Sequence, residues 1–368
     1  MAYSSIVKPT DYFNTVLWTG DNTARTISGV GFQPDWIWWK QRNGTDSHRL
    51  ADAVRGEGSA SYKLLFSEDT SAEYDGSDNG GSQGNINAIT SDGFSGVQGT
   101  SGYNNWNGSS YNYVAWNWKG NGAGSSNSDG DITSTVSANT TAGFSIVKYT
   151  GNGNSSATFG HGLGVKPKIG LLKPTSTTGN WNWWQDTTGN NSADVRVHLH
   201  LTDANNSNYP ITFNTTTITL PSLADASWNG SGTEFIFYCF AEKKGYSKFG
   251  SYTGNGSTDG TFVHTGFRPA WIVVKRTDSS TGGSWILYDT KRNPHNVSDI
   301  VLAPNTNHSE SDWGNVYDLD ILSNGFKWKH DGSSNYVNVS GASYIYMAFA
   351  EHPFVANDSG TAVPVVAR

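Results

Sequence analysis

Short apolar runs separated by glycine, asparagine and serine recur along the whole chain. They combine β-branched and aromatic residues, which favour a partly buried strand over a helix. Clear examples are DVRVHLHL (194–201), ITFNTTTITL (211–220) and SWILYD (284–289). Asn-Gly pairs, a strong signal for tight hairpin turns, stand at 107–108, 229–230 and 324–325. The pattern predicts an all-β fold of antiparallel β-sandwich units, jelly-roll or lectin-like, with room for one short helical turn around SHRLADAVRG (47–56).

One order of signals occurs three times. Each copy opens with an aromatic residue before Thr-Gly, continues to a proline and an apolar strand that ends in lysine, and closes with an aromatic strand. The openings are at Trp18, Tyr149 and Tyr252, and the lysines are Lys40, Lys173 and Lys275. The closing strands are YVAWNWK (113–119), FYCFAEK (237–243) and YMAFAEH (346–352), which align without gaps.

This repeat divides the chain. We predict β-sandwich unit 1 at 1–119, unit 2 at 143–244, unit 3 at 245–352 and an extended C-terminal tail at 353–368. Residues 120–142 are a linker with a possible extra strand: the Gly/Ser/Asn-rich first half is typical of a flexible connection, whereas DITSTVSAN (131–139) alternates enough for a strand. Almost no linker separates units 2 and 3, so we expect them to pack as a rigid pair.

The segment GFQPDWIWWKQR (31–42) contains three closely spaced tryptophans, which could form a sugar-stacking platform or a core. Trp36 aligns with Ile169 and Trp271, Trp38 with Leu171 and Val273, and Trp39 with Leu172 and Val274. Aliphatic residues replace all three within one chain, which a core tolerates and a stacking platform does not. We therefore predict a strand buried on both faces.

Charge and cysteine content remove several function classes. The net charge is −7 and no run of lysine or arginine occurs, which argues against nucleic-acid binding. The single cysteine, Cys239, excludes an internal disulfide. It aligns with Ala115 and Ala348, which predicts a buried small hydrophobic residue. Neither a signal peptide nor an apolar run long enough to span a membrane is recognisable, so we expect no membrane insertion.

The repeated motifs also carry a family resemblance. The segments concerned are KPTDYFNTVLWTGDN (8–22), GVGFQPDWIWWKQRNG (29–44), ADAVRG (51–56), SDGFS (91–95), YVAWNWKGNG (113–122), SANTTAGFSIVKYTGNG (137–153) and GHGLGVKPK (160–168). They resemble the tail-fibre-like virion surface proteins of tailed, often marine, bacteriophages. The resemblance implies a virion structural protein with lectin-like β domains and brings no catalytic residue. The chain lacks the heptads of a fibre shaft, which favours a compact adhesin or a knob on the capsid or tail.

Signals for enzymatic chemistry are weak. The chain has no G-x-S-x-G, H-E-x-x-H, P-loop or C-x-x-C motif, and we expect neither enzymatic activity nor a cofactor. His198 and His200 would share one strand face and could start a metal site. No third ligand is evident, so we favour a polar solvent face. DGSDNGG (75–81) and SDGD (128–131) lack the spacing of a calcium loop, and we predict no metal.

Aromatic residues in turn-rich segments are the candidate contacts to a glycan or a protein partner. They are Trp106, Trp181, Trp183, Trp184, Trp228, Trp313 and Tyr336. Two structural alternatives stay open. Trp106 and Trp228 recur at equivalent places, which favours a structural role. The run WNWW (181–184) also fits a strand with Trp181 and Trp183 on one face and Trp184 on the other.

Together these features predict a non-enzymatic virion surface adhesin, made in the host cytoplasm, that binds a host-surface glycan or receptor. Three weak sites per chain, multiplied in a homo-oligomer attached to other virion proteins, would give avidity. The first alternative is a capsid or tail decoration protein with a purely structural role. The second is a polysaccharide depolymerase, which needs two carboxylates facing a sugar.

Overall fold

The computed structural model describes residues 4, 6–58, 61–75, 84–99, 106–223, 225–353, 355–358 and 361–364. Antiparallel strands dominate these residues, which confirms the all-β prediction. Helical structure within them is limited to a 3-10 turn at Pro9–Asp11 and one short helix, α1, at Ala226–Asn229.

Unit 1 contains two sheets. Its strands are β1 (Phe13–Thr19), β2 (Arg25–Ser28), β3 (Trp36–Gln41), β4 (Arg49–Asp52), β5 (Leu65–Phe66), β6 (Gly84–Thr90), β7 (Gly93–Gln98) and β8 (Asn112–Trp118). The larger sheet, which we call the main sheet, has the order β1-β8-β3-β4-β5, and the small sheet has the order β2-β7-β6.

Unit 2 repeats this plan with two added strands. Its strands are β9 (Ser125–Asn127), β10 (Ser134–Asn139), β11 (Phe144–Thr150), β12 (Thr158–Gly160), β13 (Ile169–Pro174), β14 (Asn182–Gln185), β15 (Val195–His198), β16 (Thr212–Phe213), β17 (Thr217–Thr219) and β18 (Glu234–Phe240). The main sheet runs β15-β14-β13-β18-β11-β10-β9, and the small sheet runs β12-β17-β16.

Unit 3 has the same order again. Its strands are β19 (Ser247–Thr253), β20 (Phe262–His264), β21 (Phe267–Arg276), β22 (Trp285–Asp289), β23 (Leu319–Leu322), β24 (Gly325–Trp328) and β25 (Ser343–Pro353). The main sheet is β19-β25-β21-β22 and the small sheet is β20-β24-β23. The C-terminal segment forms a hairpin of β26 (Val355–Asp358) and β27 (Thr361–Pro364).

Each main sheet packs one face against its own small sheet. In unit 1, Ile27 and Phe94 of the small sheet share a buried cluster with Trp39 and Ala115 of the main sheet. Units 2 and 3 have equivalent clusters. Each unit is therefore a two-layer sandwich whose inner faces exclude water, the arrangement that strand alternation favours.

The opposite faces of the three main sheets meet one another in a central core. Trp36 stacks on Tyr238 of unit 2, with 4.5 Å between ring centroids. Phe13 lies 5.1 Å from Phe349 of unit 3, which joins units 1 and 3. All of these residues belong to one continuous buried cluster. The main sheets are thus buried on both faces, which explains why every residue of β3 is buried and confirms the core interpretation of its tryptophans.

Polar contacts join the units in a cyclic order. Tyr238 of unit 2 donates its hydroxyl to Asp52 of unit 1 at 2.8 Å. Trp116 of unit 1 donates its indole N–H to Asp289 of unit 3 at 3.0 Å. The donors lie on the closing strands β18 and β8. The carboxylates end β4 and β22, the strands that pair with the apolar strands after the repeated prolines. The units therefore follow one another around the central core by a repeated contact, and unit 3 closes back onto unit 1.

The seam between units 2 and 3 departs from this chemistry. In the other two seams, Arg55 neutralises Asp52 and Arg292 neutralises Asp289, with 2.5 Å between the charged atoms in both ion pairs. In unit 2 the aspartate position holds Gln185, whose amide donates to the backbone oxygen of Gly250 at 3.0 Å. The donor position of unit 3 holds Met347, which has no N–H or O–H to offer. A buried carboxylate there would lack a cross-seam donor, so a neutral amide fits better.

Three lysines at the ends of the apolar strands that follow the repeated prolines are buried: Lys40, Lys173 and Lys275. The Lys173 ammonium donates to the backbone oxygens of Ser71 (2.7 Å) and Thr70 (3.1 Å) in unit 1, and Lys275 donates to Asp203 O in unit 2 at 2.6 Å. Lys40 donates within its own unit, to Gln41 O at 2.6 Å. Burial lowers the pKa of all three side chains to about 8.

These lysines predict a pH dependence of stability. Between pH 8 and 10 the unfolded chain holds lysine protons that the folded chain has released, so the free energy of unfolding rises with pH. The expected slope is at most about 1.4 kcal/mol per pH unit for each lysine. We restrict the window to pH 8–9.5, because burial raises the pKa of tyrosines such as Tyr149 and their titration opposes the effect at higher pH. Guanidinium denaturation at several pH values measures the slope.

Lys173→Met should remove about a third of this slope, whereas the control Lys166→Met, at an exposed lysine, should leave it unchanged. A slope that is flat or negative in the unmodified protein would contradict the account of the buried lysines.

Three sequence-based expectations need correction. The first half of 120–142 is not a free linker, because β9 pairs with β10 and thereby extends the main sheet of unit 2. The expected helical turn at 47–56 is strand β4 followed by a turn, held by Asp52 accepting from two backbone N–H groups. Cys239 is buried as expected. Its equivalent in unit 1 is Asn117 and not Ala115. Cys239 pairs with Gly170 of β13, and Asn117 pairs with Ile37 at the same position of β3.

Candidate functional site

Five of the seven candidate aromatic side chains are buried, so the prediction that they contact a glycan or partner is corrected. Trp181 and Trp183 lie in the central core. Trp106, Trp184 and Trp228 lie in the sandwich cores of their own units. The alternative interpretation of WNWW as a strand is confirmed, since Trp184 faces the opposite core from Trp181 and Trp183. None of these rings offers a face to solvent.

Unit 2 illustrates why aromatic residues near loops are buried here. The guanidinium of Arg196 lies over the rings of Trp184, Tyr209 and Trp228, with 5.4–5.9 Å to the ring centroids. The indole N–H groups of both tryptophans donate to backbone oxygens of nearby loops. The ring faces that a sugar would need are therefore already occupied by the side chain of Arg196.

An asparagine before each closing strand holds the opening loop of its unit, within Trp-Asn-Gly in units 1 and 2 and within Val-Asn-Val in unit 3. The Asn107 amide donates to Asp21 Oδ1 at 2.5 Å, and Asn229 donates to Asn152 Oδ1 at 2.8 Å. Asn338 makes the same contact in unit 3. A Cβ on Gly20 would lie 2.0 Å from Gly108 O, which explains the repeated Thr-Gly. The recurrence of these segments therefore has a structural cause, which agrees with the structural role given above as the alternative for Trp106 and Trp228.

The remaining candidates, Trp313 and Tyr336, come together in an aromatic patch on unit 3, formed with His308 and Tyr317. His308 and Trp313 stack at 5.5 Å with 29° between ring planes. Tyr317 lies at 6.2 Å from Trp313 and at 5.5 Å from Tyr336. Tyr317 is buried, Tyr336 is half-buried, and Trp313 is 41% exposed. Of the seven candidate residues, Trp313 presents the most open ring.

The loop that carries Trp313 is held by short-range hydrogen bonds. Trp313 N–H donates to Ser311 Oγ at 3.1 Å, and Gly314 N–H donates to Asp312 Oδ1 at 3.2 Å. The backbone of Trp313 has φ of +47°, a left-handed conformation that is unusual for a bulky residue and costs energy. The loop therefore holds the indole outward at an energetic cost, which is a common feature of binding residues.

Carboxylates surround this patch. Burial raises the pKa of Asp318, and the neighbouring carboxyls of Asp299, Asp312 and Asp320 raise it further. One oxygen of Asp318 accepts no hydrogen bond from any described residue. The aromatic patch therefore lies beside several carboxylates, with the His330 imidazole acting on Asp318 in the opposite direction.

The two histidines considered as a metal site are adjacent, with 5.6 Å between ring centroids. His198 Nδ1 already pairs with Asp203 at 2.6 Å, and burial lowers the pKa of His200 to about 4. Among the described residues, no group of three or more histidine, cysteine or carboxylate side chains is arranged to hold a metal ion.

The depolymerase alternative calls for paired carboxylates. Asp46 and Glu68 interact with each other, and burial raises the pKa of both. Asp46 is also bound by Arg49 at 2.8 Å, and the buried Lys40 ammonium acts on both carboxyls. The pair is therefore part of a charged cluster that packs inside the fold.

A cavity of about 110 Å³ lies between units 1 and 3, lined among others by Phe13, Asn14, Ala270 and Glu351. Two of its polar side chains already have partners: Asn14 donates to Val30 O at 3.0 Å, and Glu351 forms an ion pair with Arg268. We assign no ligand to it.

Comparison with known proteins gives one match. A family model described as a domain of unknown function, DUF7483, matches residues 8–353. No curated protein and no solved structure is significantly similar to the chain. None of the helices in the described ranges is long and apolar enough to cross a membrane.

Proposed function

The chain belongs to the DUF7483 family of domains of unknown function, and we propose that it is a non-enzymatic virion surface adhesin that binds a host-surface glycan through the aromatic patch of unit 3. The virion assignment is supported by the resemblance of its motifs to tail-fibre-like phage proteins. The glycan assignment is supported by one observation above all: Trp313 is 41% exposed and stacks on His308, while the other candidate tryptophans are buried.

The chemistry of the patch suits a sugar. An exposed indole ring presents a broad apolar face that can cover the C–H face of a pyranose, while its N–H stays in water. Asp312 and Asn315 are exposed beside it and can hydrogen-bond to sugar hydroxyls. Exposed aromatic patches rimmed by polar residues are typical of binding surfaces.

The proposal places one patch on each chain rather than three. Trp106 and Trp228, before the closing strands of units 1 and 2, are buried. Their equivalent in unit 3 is Val337, which precedes Asn338 as they precede Asn107 and Asn229. Avidity would therefore come from several copies of the chain on the particle and not from repetition within it.

Trp313→Ala should abolish glycan binding and leave the fold intact, because the ring lies outside the buried clusters. The measurement is a glycan array probed with the purified protein, followed by titration of the strongest hit. Phe262→Ala is the matched control, since Phe262 is an aromatic residue of unit 3 with 42% exposure that lies outside the patch. Equal loss of binding in both variants, or no loss in Trp313→Ala, would contradict the proposal.

A reducing-end assay on the bound glycan distinguishes adhesion from cleavage. We expect no new reducing ends. Their appearance would favour the depolymerase alternative.

The closure of three units around one core supports a second candidate, a capsid or tail decoration protein with a structural role. A rigid body with cyclic seams suits a component that must withstand mechanical load. Antibody labelling of particles in electron micrographs separates the candidates: labelling over the capsid, combined with an empty glycan array, would favour the decoration role.

A further inference from the structure

We infer that the aromatic patch of unit 3 selects glycans that carry a protonated amine, such as oligosaccharides of glucosamine. The inference rests on the proposed function, because it specifies the ligand of the same site. It follows from the charge around the patch and from the exposure of the Trp313 ring.

The first step is the charge balance. Residues 293–336, which contain the whole patch, have six carboxylates, two lysines and no arginine. One of the six, Glu310, is held by Arg42 and Arg292, which lie outside the segment. Lys327 forms an ion pair with Asp259 outside this segment, and Lys329 lies 3.8 Å from Asp320. Asp299, Asp312 and Asp318 therefore form no ion pair with a lysine or arginine among the described residues.

The second step is the mutual effect of these carboxylates. Asp299, Asp312 and Asp320 each raise the pKa of Asp318, while His330 acts on it in the opposite direction. Three carboxylates are therefore close enough to repel the charge of Asp318. Asp299 accepts a hydrogen bond from the neutral Asn293 amide at 2.7 Å, which does not offset its charge. A cation that approached the patch would relieve this repulsion.

The third step is the aromatic surface itself. A cation is attracted to the face of an indole ring more strongly than to other aromatic rings, and a carboxylate beside it adds a charge-assisted hydrogen bond. An amine-bearing sugar can use both contacts together with stacking. A neutral sugar keeps only stacking and neutral hydrogen bonds, and an acidic sugar is repelled.

The experiment uses the full chain and three probes of equal length: oligomers of glucosamine, of N-acetylglucosamine and of galacturonic acid. Calorimetric titration at low salt should show binding to the glucosamine oligomer about ten-fold tighter than to the acetylated one, and no detectable binding of the galacturonate. Because the site is exposed, added salt should reduce the difference between the first two probes.

Two variants locate the effect. Asp312→Asn should reduce the preference for the amine without removing binding of the acetylated oligomer, and Trp313→Ala should remove both. The control Asp129→Asn, at an exposed aspartate outside unit 3, should change neither affinity.

The outcomes separate the two claims. Equal affinities for the glucosamine and acetylated oligomers, or tighter binding of galacturonate, would overturn the amine inference while Trp313-dependent binding still supports the adhesin. If no glycan on the array binds in a Trp313-dependent way, the proposed function fails and the inference with it.

Discussion

Asp289→Ala should lower the free energy of unfolding by about 3–5 kcal/mol, the typical cost of breaking a buried ion pair by removing one partner. The side chains of Asp289 and Arg292 are both completely buried. Arg292 also donates to Leu287 O at 3.1 Å and lies 3.4 Å from Glu310, so without Asp289 the buried guanidinium keeps only the more distant carboxylate. The variant additionally removes the acceptor for the Trp116 indole N–H across the seam.

The chain offers a matched control for this prediction. Gln185→Ala changes the equivalent position of unit 2, where the side chain is neutral and donates to Gly250 O. Its loss should cost only about 1–2 kcal/mol. Guanidinium denaturation of both variants gives the comparison. Equal losses would show that the buried charge does not set the cost, and would contradict our account of the seams.

The second large effect concerns the central core. Trp36→Ala should cost about 3–5 kcal/mol, as expected for truncating a buried tryptophan. The ring contacts Trp118 at 4.4 Å and Tyr238 of unit 2 at 4.5 Å between centroids. Its removal therefore opens a cavity between two units as well as within one sheet.

Thermal and denaturant unfolding of Trp36→Ala should be compared with Trp313→Ala. The exposed Trp313 belongs to none of the buried clusters, so its replacement should change stability by less than about 0.5 kcal/mol. If Trp313→Ala is as destabilising as Trp36→Ala, Trp313 is a packing residue and the binding patch is wrong.

The sequence alone was enough to predict the repeated strands, because their signals are local. The proline, the apolar run and the lysine reappear at similar spacing, and the substitution of Trp36 by Ile169 indicated a core. The structure confirms that β3, β13 and β21 are equivalent and buried.

The closing strands show the limit of such alignment. Aligning them without gaps made Trp116 equivalent to Phe240. The strand registers make Trp118 equivalent to Phe240 instead, because Trp36 pairs with Trp118 and its equivalent Ile169 pairs with Phe240. A shift of two residues keeps every side chain on the same face. The hydrophobic pattern is therefore unchanged, and only the pairing partners reveal the difference.

The central core could not be predicted from the pattern. A strand that is apolar on both faces indicates two covering layers without saying what they are. In this chain one layer is the small sheet of the same unit and the other is formed by the neighbouring units. One available signal was the spacing of aspartate and arginine, which is the same in ADAVR (51–55) and in YDTKR (288–292) and marks two of the three seams.

The candidate site was only partly accessible to sequence reasoning. Turn-rich surroundings suggested exposure for all seven aromatic residues, but recurrence and packing place five of them inside. Trp313 lies between β22 and β23, and the corresponding segments of units 1 and 2, 53–83 and 186–211, contain no tryptophan. The carboxylates around it are spread over several segments of unit 3, and only the fold brings them together.

The claim most directly open to measurement is that each chain binds glycan at one place, the aromatic patch of unit 3. Calorimetric titration of the unmodified protein with the strongest glycan from the array gives the stoichiometry. Our account predicts one site per chain, which is lost in Trp313→Ala and retained in Phe262→Ala. A stoichiometry of three per chain, or full binding by Trp313→Ala, would contradict it.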